Sequence, residues 1–215
     1  MVKIGFNGDK LLLRFASVCA ALLFPLSAAE SYSDWYTGDG TYYGPISTGN
    51  GNCAMRGSLP GGVYDGMIAV AINGEQYENS KMCGACIEGT ASGAGSGKHP
   101  LPRSFKAYVI DQCPECREGD LDFNRGLDGR WDIKWRFVTC PMGDNGNEPE
   151  FLFEGSNDYY WKLQPRGTTS PVDRLWVNGR QATRTQDNFF VISPPSGQRY
   201  SGQQDVKTRT IRYKK

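Results

Sequence analysis

Apolar positions along this chain fall in short runs or in strict alternation, and nowhere at the spacing of a long amphipathic helix. Residues 67–72 (Met-Ile-Ala-Val-Ala-Ile) and 107–110 (Ala-Tyr-Val-Ile) are brief apolar runs ended by Gly, Asn or Asp, the signature of buried strands. Residues 131–139 alternate instead. Ile133, Trp135 and Phe137 share one face, and Lys134, Arg136 and Val138 share the other. The second half repeats the theme: Leu175 and Val177 alternate with Arg174 and Trp176, and Asn178-Gly179 follows as a hairpin signal. Residues 189–192 and 207–213 supply further predicted strands. The pattern predicts a mainly β protein.

The first 29 residues stand apart. Lys3, Lys10 and Arg14 precede an apolar run over 15–26, and Ser27, Ala28 and Ala29 offer small residues for cleavage. This is the layout of a secretory signal, predicting a secreted, extracellular chain. The run is too short, and too interrupted by Pro25, to span a bilayer well. Neither a membrane nor a nucleic acid is expected as a partner. With 12% aromatic residues and 24 basic against 23 acidic side chains, the composition excludes a disordered chain. The single histidine, His99, excludes most histidine-based zinc sites.

Of seven cysteines, Cys19 falls in the leader, and Cys53, Cys83, Cys86, Cys113, Cys116 and Cys140 remain. The two C-x-x-C pairs, Cys83 with Cys86 and Cys113 with Cys116, have the spacing of a zinc site. An exported chain meets an oxidising compartment, and zinc would strand Cys53 and Cys140, so three disulfides of open connectivity are expected. No metal and no cofactor is expected. Beyond Cys140, residues 141–149 are loaded with turn formers and mark a boundary between a domain over 30–146 and a second over 147–215. Charge changes there too: residues 30–149 carry 10 basic and 16 acidic side chains, residues 150–215 carry 11 and 6. Residues 93–98 imitate a phosphate loop, but Ser92 and His99 occupy positions where that motif needs Gly and Ser or Thr. A flexible loop is the better reading.

Carboxylates cluster around the second C-x-x-C pair: Asp111, Glu115, Glu118, Asp120 and Asp122. Asp111 ends a predicted strand, where its side chain would point into a cleft. Leu121 and Phe123 facing a core would put Asp120 and Asp122 on the opposite face. A carboxyl among aromatic residues can have its pKa raised enough to act as an acid. Solvated loop carboxylates are the competing reading.

The chain resembles the expansins. In the first domain the residues that carry the resemblance are Gly40-Thr41-Tyr42-Tyr43-Gly44, Asn52-Cys53, Ile68-Ala69-Val70-Ala71 and Cys83-Gly84-Ala85-Cys86-Ile87-Glu88. They continue with Val109-Ile110-Asp111-Gln112-Cys113-Pro114, Gly119-Asp120-Leu121-Asp122 and Lys134-Trp135-Arg136-Phe137-Val138-Thr139-Cys140-Pro141. In the second they are Phe153-Glu154-Gly155-Ser156, Tyr159-Tyr160-Trp161 and Gln164-Pro165-Arg166. The resemblance implies a six-stranded double-psi β-barrel followed by an immunoglobulin-like β-sandwich. It implies a monomer that loosens plant cell walls by binding cellulose and matrix polysaccharides without hydrolysing them. The family's key carboxylate falls on Asp122, its strand-end Asp on Asp111 and its groove Thr on Thr41. Tyr43 departs from the second groove Thr, and Cys113 from a Tyr found in some microbial members. The segment 123–126 is short where the family has a small helix. The implied pairing is Cys53–Cys83, Cys86–Cys140 and Cys113–Cys116.

The family's two adjacent platform aromatics fall on Tyr159 and Tyr160, where flat rings would bury the C–H faces of glucose. The third platform position falls on Asp187. Strand alternation would place Tyr159 with Trp161, so Trp161 or Trp176 is expected to complete the row. The basic second domain would favour contact with anionic wall glycans. Two other functions compete. One is a family-45-like endoglucanase or lytic enzyme using Asp122 with Asp39 or Asp111 across roughly 6.5–9.5 Å. The other is a purely carbohydrate-binding protein. No Asn-x-Ser/Thr sequon occurs, so no N-glycosylation is expected.

Overall fold

The computed structural model describes residues 32–213 apart from 94, 96, 145 and 147, so the leader-like segment lies outside the described residues. The first half forms six strands: β1 (Tyr36–Tyr43), β2 (Ile68–Asn73), β3 (Cys86–Ala91), β4 (Ser104–Cys113), β5 (Leu121–Asn124) and β6 (Trp131–Val138). They close into a barrel in the order β1-β5-β2-β4-β3-β6. The β1/β5 and β2/β4 pairs are parallel and the others antiparallel. The period-two pattern explains the wall. In β6, Trp131, Ile133, Trp135 and Phe137 are buried and the residues between them are not. The apolar runs in β2 and β4 bury nearly every residue, as expected where the wall is covered on its outer side too.

Inside the barrel, Trp131 and Trp135 pack among Phe123, Leu121, Ile72, Ile87 and Ile110, all fully buried. Trp135 satisfies its indole N–H on the Gly119 carbonyl at 2.7 Å. Gly119 is pressed against β1 so closely that a Cβ at Gly38 would lie 2.4 Å from the Gly119 backbone. Glycine at 38 therefore lets the 117–120 turn dock on β1 and sets the position of β5. The 97–99 loop braces a turn rather than holding phosphate: the amides of Lys98 and His99 donate to the Asp128 carboxylate at 2.8 and 2.6 Å. A one-turn helix α1 (Gly74–Tyr77) follows β2, with the Asn73 side chain accepting from the Gln76 amide at 2.9 Å. Disulfides join Cys53 to Cys83, Cys86 to Cys140 and Cys113 to Cys116, so all six cysteines among the described residues lie in covalent pairs.

The second half contributes β7 (Glu150–Phe153), β8 (Trp161–Arg166), β9 (Val172–Val177), β10 (Arg180–Gln181), β11 (Thr183–Arg184), β12 (Phe190–Ile192) and β13 (Val206–Thr210). They form a sheet ordered β11-β12-β8-β7 and another ordered β10-β9-β13. Leu163, Phe190 and Ile192 of the first share a core with Val172, Leu175 and Val177 of the second. Asn178 and Gly179 both adopt positive φ, 50° and 76°, and turn the chain from β9 into β10. The strand expected over 207–213 stops at Thr210. Ile211 and Tyr213 leave the sheet for the barrel, where the Tyr213 ring stacks on Phe137 with centroids 5.6 Å apart. Burial of those two side chains outweighs continued strand pairing.

The two halves share a buried polar seam. Gln164 is wholly buried and donates from Nε2 to the Cys53 carbonyl at 2.9 Å, while its Oε1 accepts from Arg166 Nε at 2.8 Å. Arg166 also reaches the Ser58 carbonyl at 3.2 Å, and the Cys140 amide donates to the Thr169 carbonyl at 2.7 Å. Among the described residues no helix is long and apolar enough to cross a membrane.

Candidate functional site

Parallel pairing of β1 with β5 puts Thr41 directly beside Asp122, and the Thr41 hydroxyl donates to Asp122 Oδ1 at 2.7 Å. Leu121 and Phe123 point into the core on either side, which leaves Asp122 half-buried on the other face. Burial raises its pKa above the ordinary carboxylate value. The Thr41 hydrogen bond opposes that shift, and the negative charges of Glu115 and Asp111 add to it. Two residues along β1, Tyr43 is pushed up by burial and by the charges of Asp111 and Asp122. Its hydroxyl is buried on the Asp111 side of the strand pair, close enough to that carboxylate for a hydrogen bond to add to the shift, though not in ideal hydrogen-bond geometry.

Asp111 reaches this group through a bulge. The β2/β4 register shifts between Val70 and Ala71, so Val70 pairs with Val109 but Ala71 pairs with Asp111. The extra residue, Ile110, re-aims the strand end. Asp111 Oδ1 accepts from the amides of Asn52 at 2.7 Å and Gln112 at 2.8 Å, which ties the 49–56 loop to the strand end. Thr41, Tyr43, Asp111 and Asp122 thus form one electrostatically connected group. Asp120 does not join it: its carboxylate accepts from the Asp39 and Arg117 amides at 2.8 and 2.9 Å and braces the turn. Asp39 is held by Arg130 at 2.5 Å.

From Asn52 and Gln112 a cleft of about 670 Å³ runs across to Gln186 and Asp187 of the second half, in the size range of roughly 300–1,000 Å³ common for ligand sites. Asp187 here belongs to a charged frame. Lys162 Nζ lies 2.8 Å from Asp187 Oδ2 and 2.9 Å from Glu154 Oε1, and Arg56 of the barrel half pairs with the same Glu154. The Asp187 and Glu154 hydrogen bonds raise the Lys162 pKa.

Beside that frame stand the exposed rings. Tyr159 is 62% exposed and Tyr160 37%, both in a tight turn closed by an Asn157/Tyr160 bridge. Strand alternation therefore begins only at Trp161, and the expected pairing of Tyr159 with Trp161 on one face does not occur. Trp161 packs on the second core, its ring 4.4 Å from Tyr200 and edge-on to Phe153 at 5.2 Å. Trp176 lies on β9, in the sheet that lacks these tyrosines. In the second half, the exposed aromatic that sequence reasoning missed is Phe153, 46% exposed on β7. Its place in the motif with Glu154, Gly155 and Ser156 was visible, but its exposure depended on the edge position of β7. Arg56 carried no local signal at all, since its partner lies across the two halves.

No protein-family model matches the chain. Expansin-YoaJ of Bacillus subtilis (strain 168) is 26% identical over 190 residues, covering 79% of this chain and 75% of that one. The structure of an apo expansin of Clavibacter michiganensis superposes with a TM-score of 0.64 at 25% identity, covering 82% of this chain and 86% of the other. A mutant of the same expansin in complex with cellohexaose superposes with the same TM-score at 24% identity and the same coverage.

Proposed function

We infer, from the premise that this chain is a microbial expansin-like protein, that it loosens plant cell walls by displacing contacts between glucan chains without hydrolysing them. In this reading the leader 1–29 is removed and a monomer is secreted. A double-psi barrel domain over 30–146 supplies the groove, and an immunoglobulin-like domain over 147–215 adsorbs to cellulose and matrix glycans. The cellohexaose bound by the Clavibacter protein supports a β-glucan as the ligand.

The observation that carries the reading is the Thr41–Asp122 pair. A carboxyl with a raised pKa keeps its proton further toward neutral pH and so remains a donor as well as an acceptor. With the part-buried Thr41 hydroxyl beside it, the groove can exchange hydrogen bonds with glucan hydroxyls. Hydrolysis by inversion needs a second carboxylate, free to activate water. Asp39 is engaged by Arg130, and one oxygen of Asp111 by two amides, which supports binding over cleavage.

The test is Asp122→Asn, assayed for extension of a clamped, heat-killed wall, for sugar release and for cellulose adsorption. Asparagine keeps the size and can donate, but cannot ionise or deliver a proton. Wall extension should be lost and adsorption kept, with no sugar released by either protein. Hydrolysis by the wild type that disappears in the variant would replace this reading with the endoglucanase one.

A further inference from the structure

We propose that the outer wall of the barrel made by β3, β4 and β6 carries a second glycan-binding site, built around Trp35 and selective for uronic-acid-containing polysaccharide. In the strand ring, β3 lies opposite β5 and β6 opposite β2, so this wall faces away from the strand that bears Asp122. The site is therefore separate from the groove.

Its layout follows from register. Glu88 pairs across the sheet with Arg136 on one side and Lys106 on the other. One row along, Thr90 pairs with Lys134 and Ser104. Strands spaced about 4.8 Å apart make this a two-row array roughly 10 Å across. Trp35 is 45% exposed and stands over it, lining a cleft with Glu88, Thr90, Ser104 and Lys106. Its ring is steadied by cations: Arg136 lies 4.7 Å and Lys134 5.2 Å from the centroid, and Arg136 also covers Tyr32 at 4.3 Å.

Charge selects the ligand. Glu88 is committed to Arg136 at 2.6 Å. Lys106 and Lys134 have no carboxylate partner within 4 Å among the described residues, so neither ammonium is committed to an ion pair, although the exposed Asp132 shares the outer face of β6 with Lys134. An exposed indole edged by hydroxyls suits a pyranose ring, since the C–H face stacks while the ring hydroxyls reach Thr90 and Ser104. A neutral glycan would leave both ammonium groups without a counter-charge. A uronan brings carboxylates on successive sugars, in reach of Lys106 and Lys134 while a ring covers Trp35.

Calorimetric titration of the full mature chain with oligogalacturonate, and separately with cellohexaose, tests the proposal. Trp35→Ala should weaken oligogalacturonate binding about tenfold through loss of the stacked ring. Lys106→Gln combined with Lys134→Gln should do the same and reduce the salt dependence of binding. Neither change should alter cellohexaose affinity or adsorption to cellulose, and all three positions are surface ones, so folding is checked by unchanged thermal melting. If Trp35→Ala fails to fold, the lysine pair decides alone. Wild-type protein that ignores oligogalacturonate would overturn the proposal, as would full affinity in the lysine double variant. Loss confined to Lys207→Gln/Arg209→Gln would assign the uronan to the second half instead. Equal loss of cellohexaose in Trp35→Ala would make Trp35 part of the neutral-glucan surface and defeat the assigned selectivity, whatever becomes of the Asp122 test.

Discussion

The two halves of the molecule put carboxylates to opposite uses. In the barrel, Asp122 is withdrawn between core residues and its pKa is raised by burial. In the second half, Glu154 stands at the surface and its pKa is lowered, chiefly by the hydrogen bond from Lys162. The first can keep a proton to donate; the second stays ionised and acts as a strut. The barrel is stapled by every disulfide in the structure, whereas the second half has no cysteine; both leave rings in solvent, Trp35 and Tyr42 on the barrel and Tyr159, Tyr160 and Phe153 on the second half. Under the proposed function, the groove works through desolvated, pre-placed polar groups and the second half through exposed rings.

The sharpest way to break this comparison is to cut a staple. Replacing Cys86 and Cys140 by Ser removes a cross-link spanning 54 residues, and the barrel should lose about 4 kcal/mol of stability in chemical denaturation. The Cys53–Cys83 link, spanning 30, should cost slightly less. Hydrogen exchange should then accelerate in β3 and β6 while β8 and β12 keep their protection. Equal acceleration in both halves would mean that they unfold as one body, and the contrast drawn above would be one of surface only.

The seam between the halves comes next. Gln164→Leu would leave Arg166 Nε without its acceptor and the Cys53 carbonyl without its 2.9 Å donor, at a cost of about 1–3 kcal/mol. Urea denaturation measures it. An unchanged midpoint would show that the seam is wet and that the halves are mechanically independent.

Much of this arrangement was legible in the sequence. Period-two alternation placed Ile133, Trp135 and Phe137 of β6 inward and set Leu121 and Phe123 against Asp122, because a covered wall permits only one register. Asn178-Gly179 turned the chain where its φ preferences required. What the sequence concealed was long-range. The bulge at Ile110 that aims Asp111 depends on pairing between β2 and β4, and the return of Tyr213 to Phe137 depends on where the second half sits. Tyr159 misled for a local reason: alternation was extended into a turn, where successive side chains do not take opposite faces. Position 187 lacked an aromatic for a reason that appears only in three dimensions, since Lys162 draws both Asp187 and Glu154 to itself.

The platform prediction sharpens the second half of the comparison. Tyr159→Ala and Tyr160→Ala should each weaken adsorption to cellulose by about 1–2 kcal/mol of lost apolar contact. Trp161→Ala should act differently, lowering stability because that ring packs on the core. Binding isotherms together with melting curves separate the two effects. If Trp161→Ala instead weakens adsorption with no loss of stability, the half-buried ring belongs to the platform after all.

The smallest effect concerns pH, and here the two carboxylates should show opposite signs. For Asp122 the folded pKa lies above the unfolded value of about 3.9, so folding holds the proton more tightly than the unfolded chain does. Its contribution is fully present below the unfolded pKa and is lost as pH rises through the folded one. For Glu154 the folded pKa is depressed, so its contribution is present above the unfolded value and is lost as pH falls through the folded one. Glu154 is partly solvated, and its ion pairs should contribute less than about 1 kcal/mol after screening. Denaturation midpoints followed across the acid-to-neutral range should therefore respond differently to the two amides. Asp122→Asn should flatten the decline on the neutral side, and Glu154→Gln the decline on the acid side. Should Asp122→Asn leave the neutral side of the profile untouched, its carboxyl is as solvated as any surface acid, and the groove has no reserve of protons with which to compete for glucan hydroxyls.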